Sequence, residues 1–181
     1  MTRAIDVAGY IKRTLDLSSQ ESFKLQKLVY FAQAWHLAWT GKPIFNESFE
    51  AWPNGPVARS VFRDNRYFSL PESTVLDDEV QMIVDAVLEH YGRLSSDTLV
   101  ALTHADAPWI EARKGLRPDE ASQRPLSTKT MLDFYTAQTL AGRDVPRRKA
   151  AVTVADRTAV AGIGREVIER WRTGLDLLAH K

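Results

Sequence analysis

Leu25, Leu28, Val29, Ala32, His36 and Trp39 recur at steps of three and four, which predicts one stripe of an α-helix spanning Lys24 to Trp39. Tyr30, Phe31 and Trp35 fall at the edge of that stripe or outside it. The helix therefore carries rings on more than one face and needs other elements, or a partner, to cover it. Lys24, Lys27 and Gln33 are expected to keep part of it in water. Upstream, Ile5, Ala8, Ile11 and Leu15 predict a first amphipathic helix, and Ser18-Ser19-Gln20-Glu21 is a capping-box pattern that starts the second near Ser19. Gly41 and Pro43 end it. Two helices joined by a tight turn are expected to pack as a hairpin, and the same order leaves a DNA-binding helix-turn-helix open.

From Ile44 to Trp52 the period changes: Phe45, Phe49 and Ala51 alternate with polar residues as in a short strand with one buried face. Pro53-Asn54-Gly55-Pro56 then predicts a turn, with Gly55 free to take positive φ and Pro56 suited to the first turn of a helix. That helix is expected over Val57–Phe68, with Val57, Val61 and Phe62 inward and Arg59, Arg63 and Arg66 outward. Asp77-Asp78-Glu79 opens another, favourably placed against the helix dipole, with Val80, Ile83, Val84, Val87, Leu88 and Tyr91 as its buried stripe. Ser96 or Asp97 caps a helix to Ala105, and Pro108 begins a short one. Residues 114 to 125 read as a polar surface loop, and Ser127 caps a helix ending at Gly142.

Beyond Gly142 the pattern is different. Arg143, Arg147, Arg148 and Lys149 form a basic linker over 143–152 around Pro146. Val160, Ile163, Val167, Trp171, Leu175 and Leu178 then predict an amphipathic helix within 153–181. Its three glycines each cost about 1 kcal/mol relative to alanine, so it needs a surface to dock on, such as a second copy in a homodimer. The fold class expected is mainly α: a compact multi-helix domain over 1–142 with one short β element, and an appended C-terminal amphipathic helix.

Composition narrows the function. With 181 residues, 44% hydrophobic and 26% charged, the chain can fill a core. A net charge of +1 gives no global argument for nucleic acid or membrane, and no stretch approaches the roughly 20 apolar residues of a membrane span. A cytoplasmic protein is expected. The absence of cysteine removes thiol chemistry. His36, His90, His104 and His180 form no metal-binding pair, so no metal or other cofactor is expected; His36 reads as a packed histidine, and Thr103, His104 or Asp106 as a helix cap. Neither G-x-S-x-G nor a P-loop is present. Nothing assembles a nucleophile, a base and an oxyanion site, so a non-enzyme is expected.

What remains is aromatic and arginine surface. Trp35, Trp39, Trp52 and Trp109, with Tyr30, are each as compatible with a core as with a contact face. The turn from Trp52 to Pro56 is rigid, would lose little entropy on binding, and sets a tryptophan near Arg59.

The runs KLQKLVYFAQAWHLAWTGKPIF, EAWPNGPV and LTHADAPW, with YGRLSSDTL before the last, resemble the Panacea antitoxin domain, the SocA-like family, across roughly residues 1 to 140. The matching positions include Lys24, Gln26, Lys27, Tyr30, Gln33, Trp35, His36, Glu50, Trp52, Pro53, Gly55, Pro56, Thr103, His104, Pro108 and Trp109. Ala34 stands where glycine is common and Asn54 where an aromatic is common. The resemblance implies an antitoxin that neutralises a cognate protein toxin by direct binding, with a protease-adaptor role, and hence a protease or chaperone, as a further implied partner. The partner-binding set is then Lys24, Lys27, Tyr30 and Trp35 on the second helix, and Glu50, Trp52, Pro53, Asn54, Gly55, Pro56 and Arg59 at the turn. The alternative is a helical DNA-binding regulator that uses Arg143, Arg147, Arg148 and Lys149.

Overall fold

A computed structural model describes residues 2–71, 75–142 and 145–148. The described residues lie in the first of two compact units, Met1–Lys149. The second unit, Ala150–Lys181, which holds the expected helix and its proposed dimer contact, lies outside the described residues, as do Arg143 and Lys149.

The described chain is mainly α. Its elements are α1 (Ala4–Thr14), α2 (Ser22–Thr40), β1 (Phe49–Trp52), β2 (Gly55–Ala58), α3 (Arg59–Tyr67), α4 (Asp78–Tyr91), α5 (Ser96–His104), α6 (Ala107–Ala112) and α7 (Thr128–Ala141). Among them, none is long and apolar enough to cross a membrane. The local signals act where the sequence places them. Glu21 accepts from the Ser18 backbone N–H at 2.9 Å in the turn before α2, Ser127 accepts from Thr130 N–H at 3.1 Å, and Gly41 closes α2 at φ 72°.

Helix α2 is the axis of the fold, with α1, α3, α4, α5, α7 and β2 packed around it. Every residue from Leu25 to Leu37 is buried. A helix enclosed on all sides cannot enter a DNA groove, so the helix-turn-helix reading of α1 and α2 is corrected. Its rings interlock with the surrounding elements: Tyr30 meets Phe49 edge-on at 5.3 Å, Phe31 stacks on Tyr91 at 4.2 Å, and Trp35 meets Tyr135 edge-on at 5.0 Å.

Enclosure raises a problem, because Gln26, Lys27, Gln33 and His36 are buried with it, and a buried polar group without a partner costs several kcal/mol. Each is satisfied by backbone within residues 42–58. The Gln26 amide oxygen accepts from Ala58 N–H at 2.9 Å, and its nitrogen donates to Ala58 C=O at 3.4 Å. Lys27 Nζ donates to Pro56 C=O at 3.0 Å. Gln33 accepts from Ile44 N–H and donates to Phe45 C=O, both at 2.9 Å. His36 Nδ1 lies 2.7 Å from Lys42 C=O and so carries the proton. Expected in water, Lys27 and Gln33 instead serve as backbone clamps.

This arrangement also overturns the element expected after Trp52. Residues 55–58 form a second strand, antiparallel to the first with Phe49 opposite Ala58 and Trp52 opposite Gly55, and the helix begins only at Arg59. Pro56 on local preference alone favours a helix start. Gln26 and Lys27, taking up the outward-facing backbone groups of Ala58 and Pro56, hold the segment extended. The other edge of β1 is also covered, since Ala51 N–H donates to Arg124 C=O at 2.9 Å and Leu126 N–H to Phe49 C=O at 2.8 Å.

Replacing Gln33 with leucine strands the Ile44 N–H and the Phe45 C=O in the core. The expected loss is about 2 kcal/mol of unfolding free energy, read as a lower urea midpoint with the m-value unchanged. An unchanged midpoint would show that the clamp contributes nothing.

Candidate partner-binding face

The hairpin presents Trp52 beside the outward side of α3. Arg59, Phe62, Arg63, Arg66 and Tyr67 follow at helical spacing, while Val61 and Asp64 face the core. Phe62, expected inward, is only half-buried and packs on Trp52 with ring centroids 4.9 Å apart. The cause is local: the tryptophan of β1 offers a closer apolar surface than the core does. The Arg66 guanidinium lies over the rings of Phe62 and Tyr67 at 5.8 and 5.6 Å.

The polar end of Trp52 is tied down from inside. Its indole N–H donates to Glu50 at 2.7 Å, and the other oxygen of that carboxylate sits 3.4 Å from Arg59. Behind the turn, Trp109 Nε1 donates to Trp52 C=O at 3.0 Å, and the buried Arg113 donates to Ala51 C=O at 2.9 Å and to the carbonyls of Arg117, Pro118 and Glu120. Arg113 thus fastens the surface loop from beneath. Its signal was hidden, since an arginine before a lysine and a glycine reads as solvated.

Two open hollows share Trp52 and Gln123. One, of about 590 Å³, is lined by Trp52, Arg59, Ser60, Phe62, Arg63, Tyr67 and Gln123. The other, of about 420 Å³, lies along Pro53 and residues 121–123. The rim is cationic. The Arg59 and Arg63 side chains are each 61% exposed, whereas their carboxylate partners Glu50 and Asp64 are 15% and 12% exposed. Tyr67 and Phe68 are also exposed.

The sequence-derived set divides on this geometry. Trp52, Pro53, Asn54, Glu50 and Arg59 come together here, and Lys24 is half-buried near the start of α2. Lys27, Tyr30, Trp35, Gly55 and Pro56 are buried, so their expected role as contact residues is corrected: Lys27, Gly55 and Pro56 build the support under the turn, and Tyr30 and Trp35 pack in the core. Phe62, Arg63, Tyr67 and Gln123 were missed. The α3 periodicity contained the first three, but it was read with Phe62 on the inner side. Of the basic linker residues, Arg148 is engaged with Trp39 C=O at 3.1 Å and Glu79 at 3.7 Å, while Arg147 is exposed. His104 caps nothing. Its ring stacks on Trp109 at 4.0 Å, and burial, then the nearby Lys27, lowers its pKa.

Residues 25–110, which contain α2, the hairpin, α3 and the α5–α6 turn, match the family model described as Antitoxin SocA-like, Panacea domain. Over this stretch the chain is similar to SocA-like Panacea domains. The chain is also 35% identical to Antitoxin SocA of Caulobacter vibrioides (strain NA1000 / CB15N) in a 104-residue alignment taking in 47% of this chain and 55% of that protein. It therefore spans about half the length of this curated relative. No solved structure gives a significant match. The buried clamp residues of α2 and the Trp52 turn belong to the same matched stretch.

Proposed function

We propose that this Panacea domain is the antitoxin of a toxin–antitoxin pair, and that it neutralises a cognate protein toxin by binding it through the Trp52 face. The observation that carries the reading is a half-buried tryptophan, pinned by Glu50 and flanked by Phe62, Tyr67 and three arginines, on a scaffold fastened from behind. Aromatic and arginine side chains in such preorganised settings dominate protein association energies. The family match and the name of the SocA relative support the biological role.

Coexpression with the neighbouring gene product is expected to restore growth and yield a copurifying complex. Trp52→Ala and Tyr67→Ala are each expected to weaken that complex by about 2 kcal/mol, roughly 30-fold in Kd. Tyr67, 65% exposed, is the variant least able to disturb folding. If the wild-type pair neither copurifies nor restores growth, the antitoxin reading is wrong. If the pair forms but both variants bind as wild type, the assignment of the face is wrong. Following toxin abundance after synthesis is stopped separates occlusion, which leaves it constant, from delivery to a protease, which lowers it.

A further inference from the structure

A second site lies on the opposite side of α2 from the hairpin clamps, in a hollow of about 170 Å³ whose lining includes Phe31, Trp35, Tyr91, Phe134, Tyr135 and Asp106. The five rings meet at varied angles. Phe31 and Tyr91 are parallel within 8°, whereas Trp35 and Phe134 meet Tyr135 at 85° and 76°. Trp35 Nε1 donates to Tyr91 Oη at 3.2 Å and Tyr135 Oη donates to Asp106. The polar ends of Trp35, Tyr91 and Tyr135 are thus occupied, and these rings wall the hollow together with Phe31 and Phe134.

Asp106 is the unusual member. It stands at the N-cap position of α6, where an aspartate ordinarily accepts from the helix N–H groups, yet its side chain makes no cap bond. The carboxylate turns instead to Tyr135. It is 7% exposed, and the groups that act on its charge are burial and tyrosine hydroxyls, with no cation among them. The buried Tyr30 hydroxyl lies against the same pair. A buried carboxylate without a counter-ion is unfavourable, and the hydroxyls around Asp106 supply hydrogen bonds but no charge.

We propose that this hollow is a binding site for a small organic ammonium ion, held by the aromatic lining and neutralised by Asp106. Rings that enclose a quaternary ammonium attract it through their quadrupoles most strongly when desolvated, and a cavity of this size holds a molecule about as large as benzene. A neutral apolar guest would gain the same enclosure but would leave Asp106 uncompensated, so the carboxylate is the feature that selects a cation.

The test titrates choline, and in parallel its neutral isostere 3,3-dimethylbutan-1-ol, into the full chain at constant ionic strength while following the Trp35 indole N–H by NMR. Choline is expected to shift that resonance and to bind at least about 10-fold more tightly than the alcohol. Asp106→Asn keeps an acceptor for Tyr135 and is expected to lose that preference. Phe134→Leu removes a half-buried wall and should weaken choline binding while the fold persists. No shift at millimolar choline, equal binding of the alcohol, or undiminished choline binding by Asp106→Asn would each overturn the proposal.

Discussion

Gly55→Ala is expected to lose about 2–5 kcal/mol of stability, a large part of what a domain of this size has. Two effects add. Gly55 sits at φ +93°, a conformation that costs a residue bearing a Cβ about 1–2 kcal/mol. The new methyl would also lie 2.6 Å from Thr103 Oγ1, 2.7 Å from Lys27 Cε and 2.8 Å from Lys27 Nζ. Both neighbours are fully buried, so neither can swing aside, and overpacking of this kind costs about 1–3 kcal/mol more. Gly115→Ala is the matched control, with φ +81° and no atom within 4 Å of the added methyl, and it should show the backbone cost alone. Equal urea midpoints for the two variants would mean that the close approach of the turn to Lys27 is not a constraint.

The second large effect is a pH dependence at Lys27. Burial lowers its pKa from the usual 10.5 to about 7, with the Pro56 carbonyl as its hydrogen-bond partner. The sign follows from linkage. Below about pH 7 the amine is protonated in both states and the cost of burying the charge is fully present. Between 7 and 10.5 the folded state holds fewer protons than the unfolded one, so stability rises with pH at up to about 1.4 kcal/mol per unit. From pH 7 to 9.5, below the range in which the buried Tyr30 and Tyr135 hydroxyls matter, the gain is about 3 kcal/mol. Lys27→Met should lack this rise while losing the bond to Pro56. Denaturation midpoints of the two proteins at pH 7 and 9.5 measure it, and parallel curves would show that Lys27 keeps an ordinary pKa.

Asp106 acts in the opposite sense at lower pH. Burial raises its carboxyl to about 6 against the pull of the Tyr135 hydroxyl, so its contribution is largest below about pH 4 and declines as pH rises towards 6. A lysine and an aspartate are thus buried around one helix without pairing with each other, each with its charge uncompensated by an ion pair. The lysine is held by backbone, and the aspartate faces a ring-lined hollow.

How much of this was legible in the sequence differs by element. The ends of α2, the capping of α7 by Ser127 and the buried stripe of α4 rest on side chains acting within a turn or two of their own backbone, and the sequence displays those directly. The Trp52–Asn54 turn and Arg59 were picked out from residue type and rigidity. The second strand was not, because Pro56 locally favours a helix start and the groups that hold 55–58 extended, Gln26 and Lys27, lie about thirty positions earlier. Trp35, Tyr30 and Lys27 were placed on a contact surface for a related reason. An aromatic or lysine off the main stripe reads as exposed unless it is known that elements surround the helix.

The sequence alone therefore determined the helical class, the family resemblance and the turn that carries Trp52, since local periodicity, capping and ordered motifs are properties of the chain by itself. Tertiary structure alone decided that α2 is enclosed, that its polar residues grip a backbone, and that α3 shows Phe62, Arg63 and Tyr67 to solvent. It also decided that Asp106 leaves its cap for a hollow between helices. Burial and hydrogen-bond partnership depend on segments far apart in the chain, and they fix which of two chemically reasonable roles a tryptophan, lysine or aspartate takes.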